Sequence, residues 1–214
     1  MIIRPLMKSV VLPILLAFSL FVSSACGQGT FEYDQQSSDE NTPGESVIGI
    51  QPFQPMGQSF TPSLPAVGFV RLQLLDGNPA NGLGATIYVN LLADSIDGQV
   101  LASSDPVSLP DGYPGDNNVG FVDFIFATNV PVNPNVTYYF RPMIAAGDGF
   151  LAGRFIPVSD YTGGTEYVNG LPGTDDLWFR EGIVVPEPSI LPILLIGGFV
   201  GWLVRNKMIR RTHE

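Results

Sequence analysis

The chain reads as all-β: an antiparallel β-sandwich of jelly-roll-like type, flanked by an N-terminal signal peptide and a C-terminal transmembrane sorting helix. Three observations predict the sandwich. Its 24 glycines and 19 prolines punctuate the central part at the short intervals that turns require. Between them, apolar residues recur at every second position, the period of a half-buried strand. No stretch carries an apolar stripe at helical spacing built from good helix formers.

The predicted strands follow in order. Residues 58–61 make a short one. Residues 68–75 alternate, with Val70, Leu72 and Leu74 on one face and Arg71 and Gln73 on the other. In 86–92, Ile87, Val89 and Leu91 point inward, and 100–103 is brief. Residues 121–126 set Val122, Phe124 and Phe126 against Asp123. In 137–144, Tyr138, Phe140 and Ile144 share one side, and Tyr139, Arg141 and Met143 the other. Residues 150–156 and 177–180 complete the set, and one of Trp178 and Phe179 has to face the core. About eight short antiparallel strands of this kind suit a sandwich of jelly-roll type. The polar stretch 26–56 reads as a leader or irregular edge segment, so the sandwich domain is placed at 57–184.

The first 25 residues do not belong to that domain. Arg4 and Lys8 are followed by an apolar run over 9–22, and then by the small residues Ser23, Ser24 and Ala25. This is the layout of a secretory signal peptide. The rival reading, a retained membrane anchor, meets a run shorter than the ~20 residues needed to span a bilayer. The chain has one cysteine, Cys26, which rules out an internal disulfide. After a cut behind Ala25 it would be the first residue, the place where a bacterial lipoprotein carries its lipid. Ser23, however, stands where such signals usually have Leu. The other reading of Cys26 is a small residue near a cleavage site.

Charge excludes one class of partner. Between Gln28 and Val185 four arginines and no lysine face 18 of the chain's 20 acidic residues, a net −14. Such a body repels phosphate backbones, so no nucleic acid is expected as a partner. It suits a soluble extracellular protein or one that holds divalent cations. Loops with Asp94, Asp97, Asp111 and Asp116 offer hard oxygen donors of the kind calcium takes, although Asp, Asn and Gly are also the ordinary residues of turns. No cofactor is called for beyond that calcium.

Enzyme chemistry finds little to build on. The sole histidine, His213, lies in the tail, which removes Ser-His-Asp and Cys-His schemes and histidine-rich metal sites. Carboxylates such as Glu166 and Glu181 could serve a glycosidase, yet nothing in their spacing selects a pair. A noncatalytic body is therefore expected, with carbohydrate binding as the alternative. Tyr113 and Tyr161 lie near turns, where an exposed ring could stack on a sugar.

From residue 185 the composition changes. Pro186-Glu187-Pro188 within 185–189 precedes an apolar run over 190–204, and a basic end at 205–214 holds Arg205, Lys207, Arg210 and Arg211. The prolines break any helix before the run, and the basic cluster stays cytoplasmic by the positive-inside rule. At ~1.5 Å per residue the run reaches only ~22 Å against a ~30 Å hydrocarbon core. It can halt export but makes a poor permanent anchor.

This ordered tail resembles the PEP-CTERM sorting signal. The resemblance covers 185–211. It implies a membrane-bound exosortase-type processing enzyme as partner, cutting near Pro186-Glu187-Pro188 and releasing the body to the surface or to exopolysaccharide of a biofilm matrix. A transient membrane anchor followed by an envelope or extracellular location is what the resemblance implies. Within the body, Gln58-Ser59-Phe60-Thr61-Pro62, Val136 to Phe140, Tyr161 to Gly164 and Asp176 to Arg180 are similar to a loose group of bacterial extracellular sandwich domains. That likeness, over 57–182, brings no defined activity with it.

Overall fold

The computed structural model describes residues 29–115, 120–155 and 161–186, and all regular structure within them is strand, with no helix. The signal peptide with Cys26, and the tail from Glu187 on, lie outside the described residues. The compact body runs from Thr30 to Val185.

Two strands open that body inside the segment expected to be a leader or irregular edge. They are β1 (Thr30–Gln36) and β2 (Ser46–Gly49). Ile48, Ile50 and Met56, between 46 and 56, enter the core. Residues 30–56 are therefore part of the domain, which begins well before residue 57. The polar composition of β1 disguised it, because an edge strand needs only one hydrogen-bonded neighbour and tolerates polar side chains.

The predicted strands then appear as β3 (Gly57–Phe60), β4 (Ala66–Asp76), β5 (Ala85–Leu92) and β6 (Val100–Ser103). A short β7 (Val107–Leu109) precedes β8 (Phe121–Pro131), β9 (Tyr138–Gly147) and β10 (Phe150–Phe155). The small strands β11 (Glu166–Val168), β12 (Leu171–Pro172) and β13 (Asp176–Leu177) lead to β14 (Phe179–Val185).

These form two seven-stranded sheets. The first runs β1–β14–β4–β10–β13, with β8 also on β4 and β2 on β10. The second runs β12–β11–β3–β9–β5–β6, with β7 also on β5. The pairings are antiparallel, and β3, β4 and β5, then β8, β9 and β10, alternate between the sheets. Val70, Leu72 and Leu74 of the first sheet and Ile87, Val89 and Leu91 of the second share one core with Phe60, Phe124, Phe140 and Phe179. Each such side chain contributes ~1.5–3 kcal/mol on burial, which is what holds the two layers together.

Main-chain contacts join the two sheets at two places. At one, Ser104 bridges to Phe126, and the Asp105 N–H donates to the Ile125 carbonyl at 2.9 Å. At the other, the Glu166 N–H donates to the Asp175 carbonyl at 2.9 Å.

The outer face of the first sheet carries a second, smaller layer. Trp178 and Phe179 are both fully buried, and one of them, Phe179, faces the core as expected. Phe179 points inward, and Trp178 is roofed by a strap that crosses the sheet between β1 and β2. The indole Nε1 donates to the carbonyls of Thr42 at 3.0 Å and Asp39 at 3.3 Å, and its ring lies 4.3 Å from that of Phe121. The strap is pinned by Glu40, which bridges Arg71 and Arg180, and by the Gly44 N–H donating to Gln73 Oε1 at 2.7 Å. Beside it, Gly182 lies between Tyr33 and Phe69 in the strand order. With no side chain there, the Tyr33 and Phe69 rings meet edge to face at 5.5 Å.

Candidate functional site

The most specific sequence motif begins where the body ends. The last strand, β14, pairs with the first, setting Val185 opposite Thr30, Val184 opposite Phe31 and Ile183 opposite Glu32. Pro186 follows Val185 directly in the chain. Glu187, Pro188, Arg205, Lys207, Arg210 and Arg211 lie outside the described residues, as does Cys26.

Close to this exit is a contact that the residue pattern does not announce. Asn129, on β8, reaches across Gly68 of β4 to the main chain of Val184. Its Nδ2 donates to the Val184 carbonyl at 3.0 Å, and its Oδ1 accepts from the Val184 N–H at 3.0 Å. Gly68 makes the reach possible: a Cβ there would stand 2.0 Å from Asn129 Oδ1 and 2.6 Å from Val184 N. A glycine inside an otherwise regular strand was the one available signal.

The acidic loops do not converge on a cation. Asp94 has φ 68°, a left-handed turn position that Asp tolerates better than most residues. Asp97 pairs with Arg141 at 2.9 Å. Asp111 accepts the N–H groups of Ala80 and Gly82, both at 2.9 Å, and so closes a separate loop. Leu109 pairs with Ala85 at the start of β5, whereas Asp94 and Asp97 follow its end. A strand of that length, at ~3.3 Å per residue, keeps the two groups ~20 Å apart. Among the described residues no three His, Cys, Asp or Glu side chains come together as a metal site. Asp116 lies outside the described residues. In the structure Asp94 takes a turn position, Asp97 pairs with Arg141 and Asp111 fastens a loop.

The two tyrosines expected to be exposed are half-buried. Tyr113 lies against the core and donates its hydroxyl to the Phe121 carbonyl at 3.3 Å. Burial, with Asp123 nearby, pushes its pKa up. Tyr161 meets Phe179 edge to face at 5.1 Å, and its oxygen accepts the Thr61 N–H at 3.3 Å. Burial, then the charges of Glu181, Asp176 and Asp34, raise its pKa strongly against that one bond. Both rings are half-buried and pack against the core. A half-buried pair on β9 and β11, Tyr139 and Tyr167, meets at 78° and forms no flat platform.

The carboxylates available to a glycosidase are also enclosed. Glu166 is 1% exposed and bonds to Arg154 at 3.1 Å, which in turn holds Asp175 at 3.1 Å. Burial raises the Glu166 pKa despite that arginine. Glu181 is 0% exposed. One of its oxygens accepts the Gln35 N–H at 3.1 Å, and the other has no hydrogen-bond partner among the described residues. Burial and the nearby charge of Asp34 push its pKa up to about 9, so it is held neutral at pH 7. Asp34 itself overcomes burial through bonds from the N–H groups of Leu64 at 2.8 Å and Ser63 at 2.7 Å, and its pKa is lowered.

One open groove of about 270 Å³ lies where β5, β7 and β9 meet, lined by Ala85, Thr86, Ser108, Leu109 and Ala146 with glycines on either side. It holds no charged side chain. Comparison with protein-family models, with characterised proteins and with solved structures returned no match.

Proposed function

We propose that the chain is an exported, noncatalytic protein of the bacterial surface or extracellular matrix, delivered as the substrate of an exosortase-type processing enzyme. Residues 1–25 direct export, 190–204 halt the chain in the membrane, and the basic end 205–214 fixes orientation with the body outside. The observation that carries the reading is the junction at residue 185. The last strand of the sandwich ends at Val185, and the next three residues are Pro186, Glu187 and Pro188. A domain that completes its sheets there has no need of the tail for its own pairing, so the tail is free to act as an address.

The body supports the noncatalytic part of the proposal. Its internal carboxylates are enclosed and its described acidic loops are occupied in holding turns. A jelly-roll-like winding with an acidic surface suits a durable matrix component associated with exopolysaccharide.

The test places one tag in the body and a second after Glu214, in a host with the processing machinery, followed by fractionation. The body tag is expected to leave the membrane without the tail tag. If the two stay together in the membrane fraction, the sorting reading fails.

A further inference from the structure

We infer that the outer face of the second sheet binds an uncharged polysaccharide chain, seated in the groove at Thr86 and Ser108 and running on over Tyr88 to Asn90. The inference rests on the polysaccharide association proposed above and names the surface that makes it.

The face is laid out by β5 and its neighbours. Ile87, Val89 and Leu91 enter the core, so strand alternation turns Thr86, Tyr88 and Asn90 outward. Across β9 these lie opposite Ala146, Met143 and Arg141. On the other flank Ser108 of β7 pairs with Thr86, and Ser103 of β6 with Asn90. Four residues at ~3.3 Å each make a row ~13 Å long. The open groove of about 270 Å³ forms its start, where the hydroxyls of Thr86 and Ser108 lie 3.1 Å apart.

Each step of the row offers something a sugar takes. The two hydroxyls can donate or accept. Tyr88 is half-buried, an apolar ring with a polar tip beside the groove. Asn90 is 7% exposed. Its Oδ1 accepts from Ser103 Oγ at 2.6 Å, and its Nδ2 has no hydrogen-bond partner among the described residues. An amide donor fixed in this way and left open is a place for a ligand oxygen.

Charge selects the class of polymer. The body's net −14 repels an anionic chain, and the groove holds no charged side chain. Arg141, at the far end, is matched by Asp97 at 2.9 Å. A protein partner would call for an apolar centre, whereas every cross-strand pair of this row carries a hydroxyl or an amide.

The experiment is affinity electrophoresis of the full-length chain in nonionic detergent. Native gels contain no polymer, or dextran, galactomannan or hydroxyethylcellulose, or alginate as the anionic polymer. The expected result is retardation of wild type by at least one uncharged polymer and none by alginate. Tyr88→Ala should weaken binding about tenfold, and Tyr88→Phe, which keeps the ring, should retain most of it. Ala146→Phe fills the groove from an exposed position and should also weaken binding, so the test stands even if Tyr88→Ala folds poorly. No retardation by any uncharged polymer, or equal retardation by alginate, overturns the inference. Retardation that survives both Tyr88→Ala and Ala146→Phe overturns it too, and moves the polysaccharide association to another face. Tag separation decides the sorting reading independently of each of these outcomes.

Discussion

The side chain of Gln58 joins the two sheets through Asp176. Its amide nitrogen donates to Asp176 Oδ1 at 2.6 Å, and its carbonyl oxygen accepts the Leu177 N–H at 2.9 Å. Gln58 belongs to β3 and Asp176 to β13, so one buried amide spans the edge where the sheets meet. Both residues are almost wholly buried. Gln58→Ala removes a donor from a buried carboxylate and an acceptor from a buried N–H, and should cost about 2–4 kcal/mol. The midpoint of urea unfolding measures it. A loss below about 1 kcal/mol would mean that solvent reaches this edge and replaces the amide.

The strap over Trp178 depends on Glu40. Burial opposes its charge, but hydrogen bonds from Arg180 and Arg71 prevail and hold its pKa at about 2. A carboxyl whose folded pKa lies below its ordinary 4.5 stabilises the fold above that pH, and the contribution is lost as pH falls toward 2. Because the carboxylate is about one-third exposed, solvent screening limits its worth to about 1 kcal/mol. Glu40→Ala should lower stability by roughly that amount at pH 7 and flatten the acid limb between pH 4.5 and 2. In a Trp202→Phe background, acrylamide should quench Trp178 more readily in Glu40→Ala. Unchanged quenching would show that the Trp178 and Gly44 bonds hold the strap without Glu40.

What the sequence made legible was the alternating core. Val70, Leu72 and Leu74, Ile87, Val89 and Leu91, and Val122, Phe124 and Phe126 all lie inward as read, because a sheet with one dry face imprints period two on its residues. The first strand left only a short imprint: in TFEYDQQ the alternation stops after Phe31 and Tyr33, whose rings pack against Phe69, and the remaining residues are polar. Tyr161 looked like a surface residue because two glycines follow it closely. Those glycines instead let the chain pack tightly, since a Cβ on Gly164 would stand 1.9 Å from the Ser59 carbonyl. The aspartates could not be sorted in advance, because the chemistry that suits a calcium ligand also suits a turn fastener. Asn129 was invisible for a different reason: its amide imitates a missing strand partner, and no periodicity records that.

The described loop aspartates should therefore answer to mutation and not to calcium. Asp111→Ala frees the N–H groups of Ala80 and Gly82 and should cost about 1 kcal/mol. That cost should be the same with chelator as with millimolar calcium. Wild-type melting temperature should also be unchanged between the two conditions, since an ion that binds the folded state would raise it by mass action. A rise with calcium that disappears in Asp111→Ala would restore Asp111 as a ligand.

Glu181 gives the body its most distinctive pH dependence. Its carboxyl is sealed inside, with one oxygen on the Gln35 N–H and the other without a hydrogen-bond partner among the described residues. Burial first, and the charge of Asp34 second, raise its pKa to about 9 from the ordinary 4.5. Between those two values the folded protein keeps a proton that the unfolded chain gives up. Stability from this group is therefore complete below pH 4.5, declines as pH rises, and is gone above about pH 9. The slope cannot exceed ~1.4 kcal/mol per pH unit for one proton, and a shift this large corresponds to several kcal/mol in all. Glu181→Gln keeps the shape and removes the titration, so its stability should match wild type near pH 4.5 and exceed it clearly at pH 8. Asp34→Asn should shrink the difference by withdrawing the neighbouring charge, although it also weakens the hold on Ser63 and Leu64. Denaturant unfolding of wild type and Glu181→Gln at half-unit steps from pH 4.5 to 9 decides the matter. Parallel curves would mean that water reaches the carboxylate and that Glu181 ionises inside the sandwich at little cost.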